Sequence, residues 1–160
     1  MHRPLGVTER GWLVGQAGHV WIVEDEPAAA ALAADLCESA GAPARVFRMP
    51  SAFVAALRTL PPPGAVVLDW RLEHELSAAL FLATRHRYPR LPVIYWTASD
   101  RSVLPSMICD DRATMIVDKA AGMASFEAAL TWALSAPALP QLFVPGEDQR
   151  GIHAAESERG

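Results

Sequence analysis

Four places in this 160-residue sequence set carboxylate, hydroxyl or ammonium groups directly after a short apolar run: Glu24-Asp25-Glu26, Asp69, Thr97-Ala98 and Asp118-Lys119. Lys119 is the sole lysine, so every other fixed side-chain cation is an arginine. Carboxylates crowded into a partly dehydrated crevice repel one another, and the remedies are protonation of one of them or a bound cation. Two close carboxylates with nearby backbone carbonyls suit magnesium, which takes oxygen ligands and keeps several waters. With Asp25 and Asp69 neutralised by that ion, the Asp69 carboxylate can attack an incoming phosphoryl group and form an aspartyl phosphate. The Lys119 ammonium and the Thr97 hydroxyl would then hold its oxygens. Any one of these residues alone reads as a turn former or helix cap. Asp25 and Glu26, for example, also suit a helix N-terminus, whose dipole attracts negative charge.

One site requires one edge. Continuous apolar runs at His19–Val23, Ala65–Leu68, Leu91–Trp96 and Thr114–Val117 read as strands buried on both faces. Ala44–Phe47 is a shorter strand whose Arg45 suits a sheet edge. Between the runs lie helical stripes: Ala28, Leu32, Leu36 and Ala40; Phe53, Leu57 and Leu60; Leu76, Leu80 and Ala83; Phe126, Leu130 and Leu134. Ser51 and Ser125 stand where N-caps belong, Gly41 follows the first helix, and Pro61–Gly64 ends the second. The stretch after Thr97 has the weakest helical pattern. Alternation of this kind predicts a doubly wound α/β domain, with a five-stranded parallel sheet, right-handed crossovers and helices on both faces. It spans residues 19–136. Residues 1–18 and 137–160, rich in Gly, Pro and charge, read as tails, the second carrying Leu142, Phe143 and Val144 as a local docking segment. In a parallel sheet all strands end on one edge, where open α/β folds bind their ligands, so the four polar clusters converge there.

Composition narrows the function classes. A net charge of -4 without a Lys/Arg cluster argues against nucleic-acid binding. No apolar run reaches the roughly 20 residues that cross a bilayer, and residues 1–18 lack a signal-peptide core, which predicts a soluble, cytoplasmic protein. Cys37 and Cys109 match no metal spacing and read as buried thiols. The five histidines show no ligand spacing either, which makes His74 and His86 surface residues. Trp21, Trp96 and Trp132 read as core or near-core residues, and Trp70 as exposed at the rim of the site.

The segments Trp21-Ile22-Val23-Glu24-Asp25-Glu26-Pro27, Val66-Val67-Leu68-Asp69-Trp70-Arg71, Tyr95-Trp96-Thr97-Ala98 and Val117-Asp118-Lys119 together resemble the response-regulator receiver domains of two-component signalling. The resemblance covers roughly three quarters of the chain and implies a flavodoxin-like fold with strand order 2-1-3-4-5. By it, Asp69 is the phosphoacceptor and a magnesium ligand, with Asp25 a direct ligand, Glu24 acting through water, and the Arg71 backbone carbonyl completing the protein ligands. Thr97 and Lys119 take switch and phosphate-contact roles. The phosphoryl group would come from a histidine kinase or phosphotransfer protein, and a downstream protein target would be contacted through the face built from the last two helices and the fifth strand. The protein would be a signalling switch of the single-domain type rather than an enzyme acting on other substrates.

Three positions depart from that pattern. Ile116 stands three residues before Lys119, where an aromatic is usual; Ala120 follows Lys119, where a cis-proline is common; and Glu73-His74-Glu75 with Ser77 replaces the usual proline and glycine after Asp69. Ile116 and Ala120 suit a second reading, a pseudo-receiver that keeps the fold as a phosphorylation-independent interaction module. The crowded carboxylates oppose it, because they cost stability and a module without the chemistry has no use for them. A haloacid-dehalogenase-like phosphohydrolase is disfavoured by Arg71, which occupies the position of that family's second aspartate. Arg71 and Ser99 are expected to overlook the path of the hydrolytic water and to set the lifetime of the phosphorylated state.

Overall fold

The computed structural model describes residues 16–72 and 75–135. In chain order its elements are β1 (Gln16–Val23), α1 (Pro27–Ser39), β2 (Ala44–Phe47), α2 (Pro50–Thr59), β3 (Pro63–Leu68), β4 (Arg71–Leu72), β5 (Glu75–Leu76), α3 (Ala78–Arg87), β6 (Val93–Thr97), α4 (Ser106–Cys109), β7 (Thr114–Asp118) and α5 (Met123–Ser135). Five strands form a parallel sheet in the order β2-β1-β3-β6-β7, and β4 and β5 form a separate two-residue antiparallel ladder. Counting the sheet strands alone, this is 2-1-3-4-5, the flavodoxin-like order that the receiver-domain resemblance implies. The Arg45-bearing strand lies at the edge, as expected, with its guanidinium 5.1 Å from the Phe47 ring centroid.

Side-chain alternation divides the core into two layers. Trp21, Val23, Val66, Leu68, Val93 and Tyr95 pack with Phe53 and Leu57 of α2 and Leu80 and Phe81 of α3. Val20, Ile22, Val67, Ile94, Trp96 and Val117 pack with Ala33 and Leu36 of α1 and Phe126, Ala129 and Leu130 of α5. The long apolar runs of the inner strands exist because both of their faces are covered.

Several local expectations shift. The buried face of α1 is Ala30, Ala33, Leu36 and Cys37, while Leu32 is 40 % exposed. A spacing of four drifts around a 3.6-residue helix, and the small alanines let α1 approach the sheet. Leu76 belongs to β5 rather than α3 and is exposed. Ser51 and Ser125 are not caps: α2 begins at Pro50 behind Met49, and Ser125 lies inside α5, where its hydroxyl donates back to the Ala121 carbonyl. Gly41 does end α1, at φ 78°. Trp70, expected at the rim, is buried against Tyr95, with ring centroids 6.4 Å apart. Cys37 is buried, and burial pushes its thiol up to about 12; Cys109 is only half-buried. The segment after Thr97 holds a 3-10 turn, Arg101–Val103, and a single α-turn, α4, started by Pro105. The expectations placed on His74 and Leu142–Val144 lie outside the described residues.

Candidate functional site

Strand register brings the polar clusters together. Val23 pairs with Leu68, so Glu24 and Asp69 leave adjacent strands side by side; the Asp69 N–H still reaches the Val23 carbonyl. Thr97 pairs with Asp118, which sets Lys119 one residue past the neighbouring strand. The junctions are fixed locally. Glu26 caps α1, its carboxylate accepting the N–H groups of Ala28 and Ala29, and these bonds lower its pKa. The Asp118 carboxylate accepts the Ala120 N–H, starting a 3-10 turn over Lys119–Ala121, and Gly122 at φ 91° turns the chain into α5.

The centre of the arrangement is Lys119. Its Nζ donates to Glu24 Oε2 and to Asp69 Oδ2, each at 2.8 Å, and lies 5.1 Å from the centroid of the Trp96 ring. Glu24 and Asp69 are buried, at 2 % and 8 % exposure. Burial raises the Glu24 pKa above the usual glutamate value, against the opposing pull of Lys119. Burial alone would lower the Lys119 pKa, but its hydrogen bonds to Asp69 and Glu24 outweigh it and hold the ammonium above the usual lysine value. Asp25 is half-buried, and its carboxylate has no hydrogen-bond or ion-pair partner among the described residues. Thr97 is buried, and its Oγ1 accepts the Ser99 N–H at 3.1 Å. That bond uses a lone pair and leaves the hydroxyl proton available to a phosphoryl oxygen.

Asp69, Arg71, Thr97, Ala98, Ser99, Asp100 and Val103 line a crevice of about 320 Å³. Arg71 and Ser99 thus share the opening to Asp69, the juxtaposition on which their expected role depends. Arg71 itself is exposed. The donor types are those a hard cation takes: two buried carboxylates, Glu24 and Asp69, share one ammonium, and Asp25 follows Glu24 at the end of the same strand. Among the described residues no group of three His, Cys, Asp or Glu side chains forms a ready-made cage. Such a site suits magnesium, which accepts few protein ligands and keeps its waters, better than calcium.

Two features escaped the sequence reading. One is the ring of Trp96 beside Lys119, which strand alternation would have revealed. The other is an arginine clamp at the opposite edge of the sheet. Arg85 donates to Asp111 Oδ2 at 2.7 Å and to the carbonyls of Leu91 and Ala113, while Asp111 also accepts from Thr114 Oγ1.

Fold and site together define an open parallel α/β protein with an acidic, lysine-bridged crevice at the carboxyl ends of its strands. The solved structures similar to it are consistently response-regulator receiver domains. The receiver domain of nitrogen regulatory protein C is 25 % identical, with a TM-score of 0.62 over 75 % of this chain and 96 % of that one. A receiver protein from Sinorhizobium medicae matches at 16 % identity and TM-score 0.64, covering 74 % of this chain and 94 % of that one. A receiver domain from Bacillus halodurans matches at 21 % and 0.62, covering 72 % and 95 %. No family model matches the sequence, and no curated protein matches it. The chain therefore has the receiver-domain fold. Among the described residues, no helix is long and apolar enough to cross a membrane.

Proposed function

We propose that this protein is a magnesium-dependent phosphorylation switch that accepts a phosphoryl group on Asp69 from a histidine kinase or phosphotransfer protein in the cytoplasm. The observation that carries the reading is the single ammonium of Lys119 shared at 2.8 Å by Glu24 and Asp69 on the ligand-binding edge of the sheet. Residues 19–136 are the switch unit in this reading.

An Asp69 carboxylate oxygen attacks phosphorus and forms the new O–P bond, while the P–N bond of the donor phosphohistidine breaks and the leaving imidazole takes up a proton. Asp25, Asp69 and the Arg71 carbonyl would hold magnesium, with Glu24 acting through water. The ion supplies neutralisation of charge on the carboxylates and phosphoryl oxygens. Lys119 pairs with a phosphoryl oxygen, and Thr97 donates its hydroxyl proton to another. Withdrawal of Lys119 from Glu24 and engagement of the Thr97 hydroxyl proton alter the β6 and β7 ends together, which shifts a conformational equilibrium and changes a protein-interaction face.

The test is intact mass after incubation with acetyl phosphate and magnesium, beside an Asp69→Asn control. One added phosphoryl group in the native protein, absent from the control and from a magnesium-free sample, is the expected result. No gain, together with no binding of beryllofluoride, would replace this reading with the pseudo-receiver, which the Ile116 and Ala120 substitutions favour.

A further inference from the structure

Glu24, Asp69, Trp96 and Lys119 each stand two residues beyond a member of one core layer: Ile22, Val67, Ile94 and Val117. Alternation along the strands therefore aims all four toward the α1/α5 side of the sheet edge. Three of them are the ion-paired set described above. The fourth is an indole whose ring centroid lies 5.1 Å from Lys119 Nζ, within the range of a cation–π contact. Trp96 is itself held: it is 5 % exposed, and Phe126 of α5 meets it edge-on, with centroids 5.1 Å apart and planes at 60°.

We propose that Trp96 is a positioning residue for phosphoryl transfer, its ring holding the Lys119 ammonium over the Asp69 edge while the carboxylate partners of that ammonium change. The inference rests on Asp69 being the phosphoacceptor. The contacts from Lys119 to Glu24 and Asp69 depend on the charge those groups carry. A cation bound to them weakens both contacts, and a phosphoryl group on Asp69 rebuilds one. The ring face of Trp96 keeps its negative potential throughout. Without it, the lysine side chain, 20 % exposed and flexible, gains competing positions in water. Phe126 then ties α5 to the same ring, so that α5 reads the position of the lysine through an aromatic lying beneath the site rather than at position 116.

A single lysine makes the geometry directly measurable. In protein labelled with 13C-lysine, the Lys119 Cε–Hε signal should lie upfield of its unfolded position through the ring current of Trp96. Trp96→Phe should retain that shift and Trp96→Met, apolar but ringless, should lose it. Acetyl phosphate labelling of Asp69 should be about fivefold slower in Trp96→Met, the size of one cation–π contact, and near native in Trp96→Phe. A purely structural tryptophan would instead leave the lysine signal unshifted in the native protein, or slow both variants alike, and either result overturns the proposal. If Trp96→Met fails to fold, Trp96→Leu makes the same ringless comparison. If no form of the protein accepts a phosphoryl group, the proposed function fails, and the lysine shift still decides whether Trp96 holds Lys119.

Discussion

Replacing Lys119 by methionine keeps an apolar stem and removes the ammonium, with its charge and its two hydrogen bonds. Glu24 Oε2 and Asp69 Oδ2 each lie 2.8 Å from Nζ, so they can be no more than about 5.6 Å apart. Two unit charges at that distance repel by about 3 kcal/mol at an effective dielectric constant of about 20. Neither carboxylate escapes into water, because their side chains are only 3 % and 10 % exposed. Lys119→Met should therefore lose about 3 kcal/mol at neutral pH, in line with breaking a buried ion pair. The loss should also depend on pH. Burial already raises the Glu24 pKa, and without Lys119 it rises further. A carboxyl whose folded pKa exceeds its unfolded value binds more protons in the native state. Its penalty develops as pH rises through that window and is relieved as pH falls back toward the unfolded value of 4.5. Urea unfolding of native and Lys119→Met protein between about pH 8 and pH 5 should show the deficit shrinking with acid. Magnesium should narrow it at neutral pH. A deficit that is absent, or flat across the range, would refute the claim that Lys119 stands between two repelling carboxylates.

Three further outcomes are expected. Magnesium at ten times its dissociation constant should add about 1.4 kcal/mol of stability, a rise of several degrees in Tm, and Asp25→Asn should lose most of it; an equal rise in the variant would mark a general salt effect. Arg85→Met should cost about 2–4 kcal/mol in urea unfolding, because it strands a partly buried carboxylate and two backbone carbonyls. Burial alone would raise the Asp111 pKa, but Thr114 and Arg85 outweigh it and lower it below 3.8, so this contribution is present above that value and lost as pH falls through the folded one. The stability difference between Arg85→Met and native protein should accordingly narrow in strong acid, down to the share carried by the Leu91 and Ala113 carbonyls. In autodephosphorylation assays, Arg71→Ala and Ser99→Ala should change the lifetime of the phosphorylated protein; unchanged rates would remove both residues from the path of the hydrolytic water.

The sheet was legible because its inner strands are covered on both faces and so appear as unbroken apolar runs. The site was legible because a parallel sheet sends every strand end to one edge, so Glu24, Asp69, Thr97 and Lys119 converge wherever the runs are correctly found. Helix detail was harder to read. In the alanine-rich α1, apolar residues occur on every side, so a four-residue spacing selected Leu32 where Ala33 faces the sheet. Trp70 follows Asp69 in sequence and so reads as a rim residue, yet its ring is buried against Tyr95. The Arg85 clamp depends on partners 26 and 28 residues away, Asp111 and Ala113, and no local pattern announces such a pairing.

The single turn of α4 has a thermodynamic consequence. Four residues of helix fall far short of the length at which a helix holds itself together, and residues 98–113 depend on Leu104 and Ile108 for their buried anchors. The cover they give β7 is thin, since three of its five residues are only half-buried and one is exposed. This flank consequently opens locally at a smaller free energy than the centre of the sheet, and its amides should exchange with solvent before those of β1 and β3. Reshaping it takes less work than moving a full-length helix, so a small difference in binding energy at the crevice goes correspondingly further.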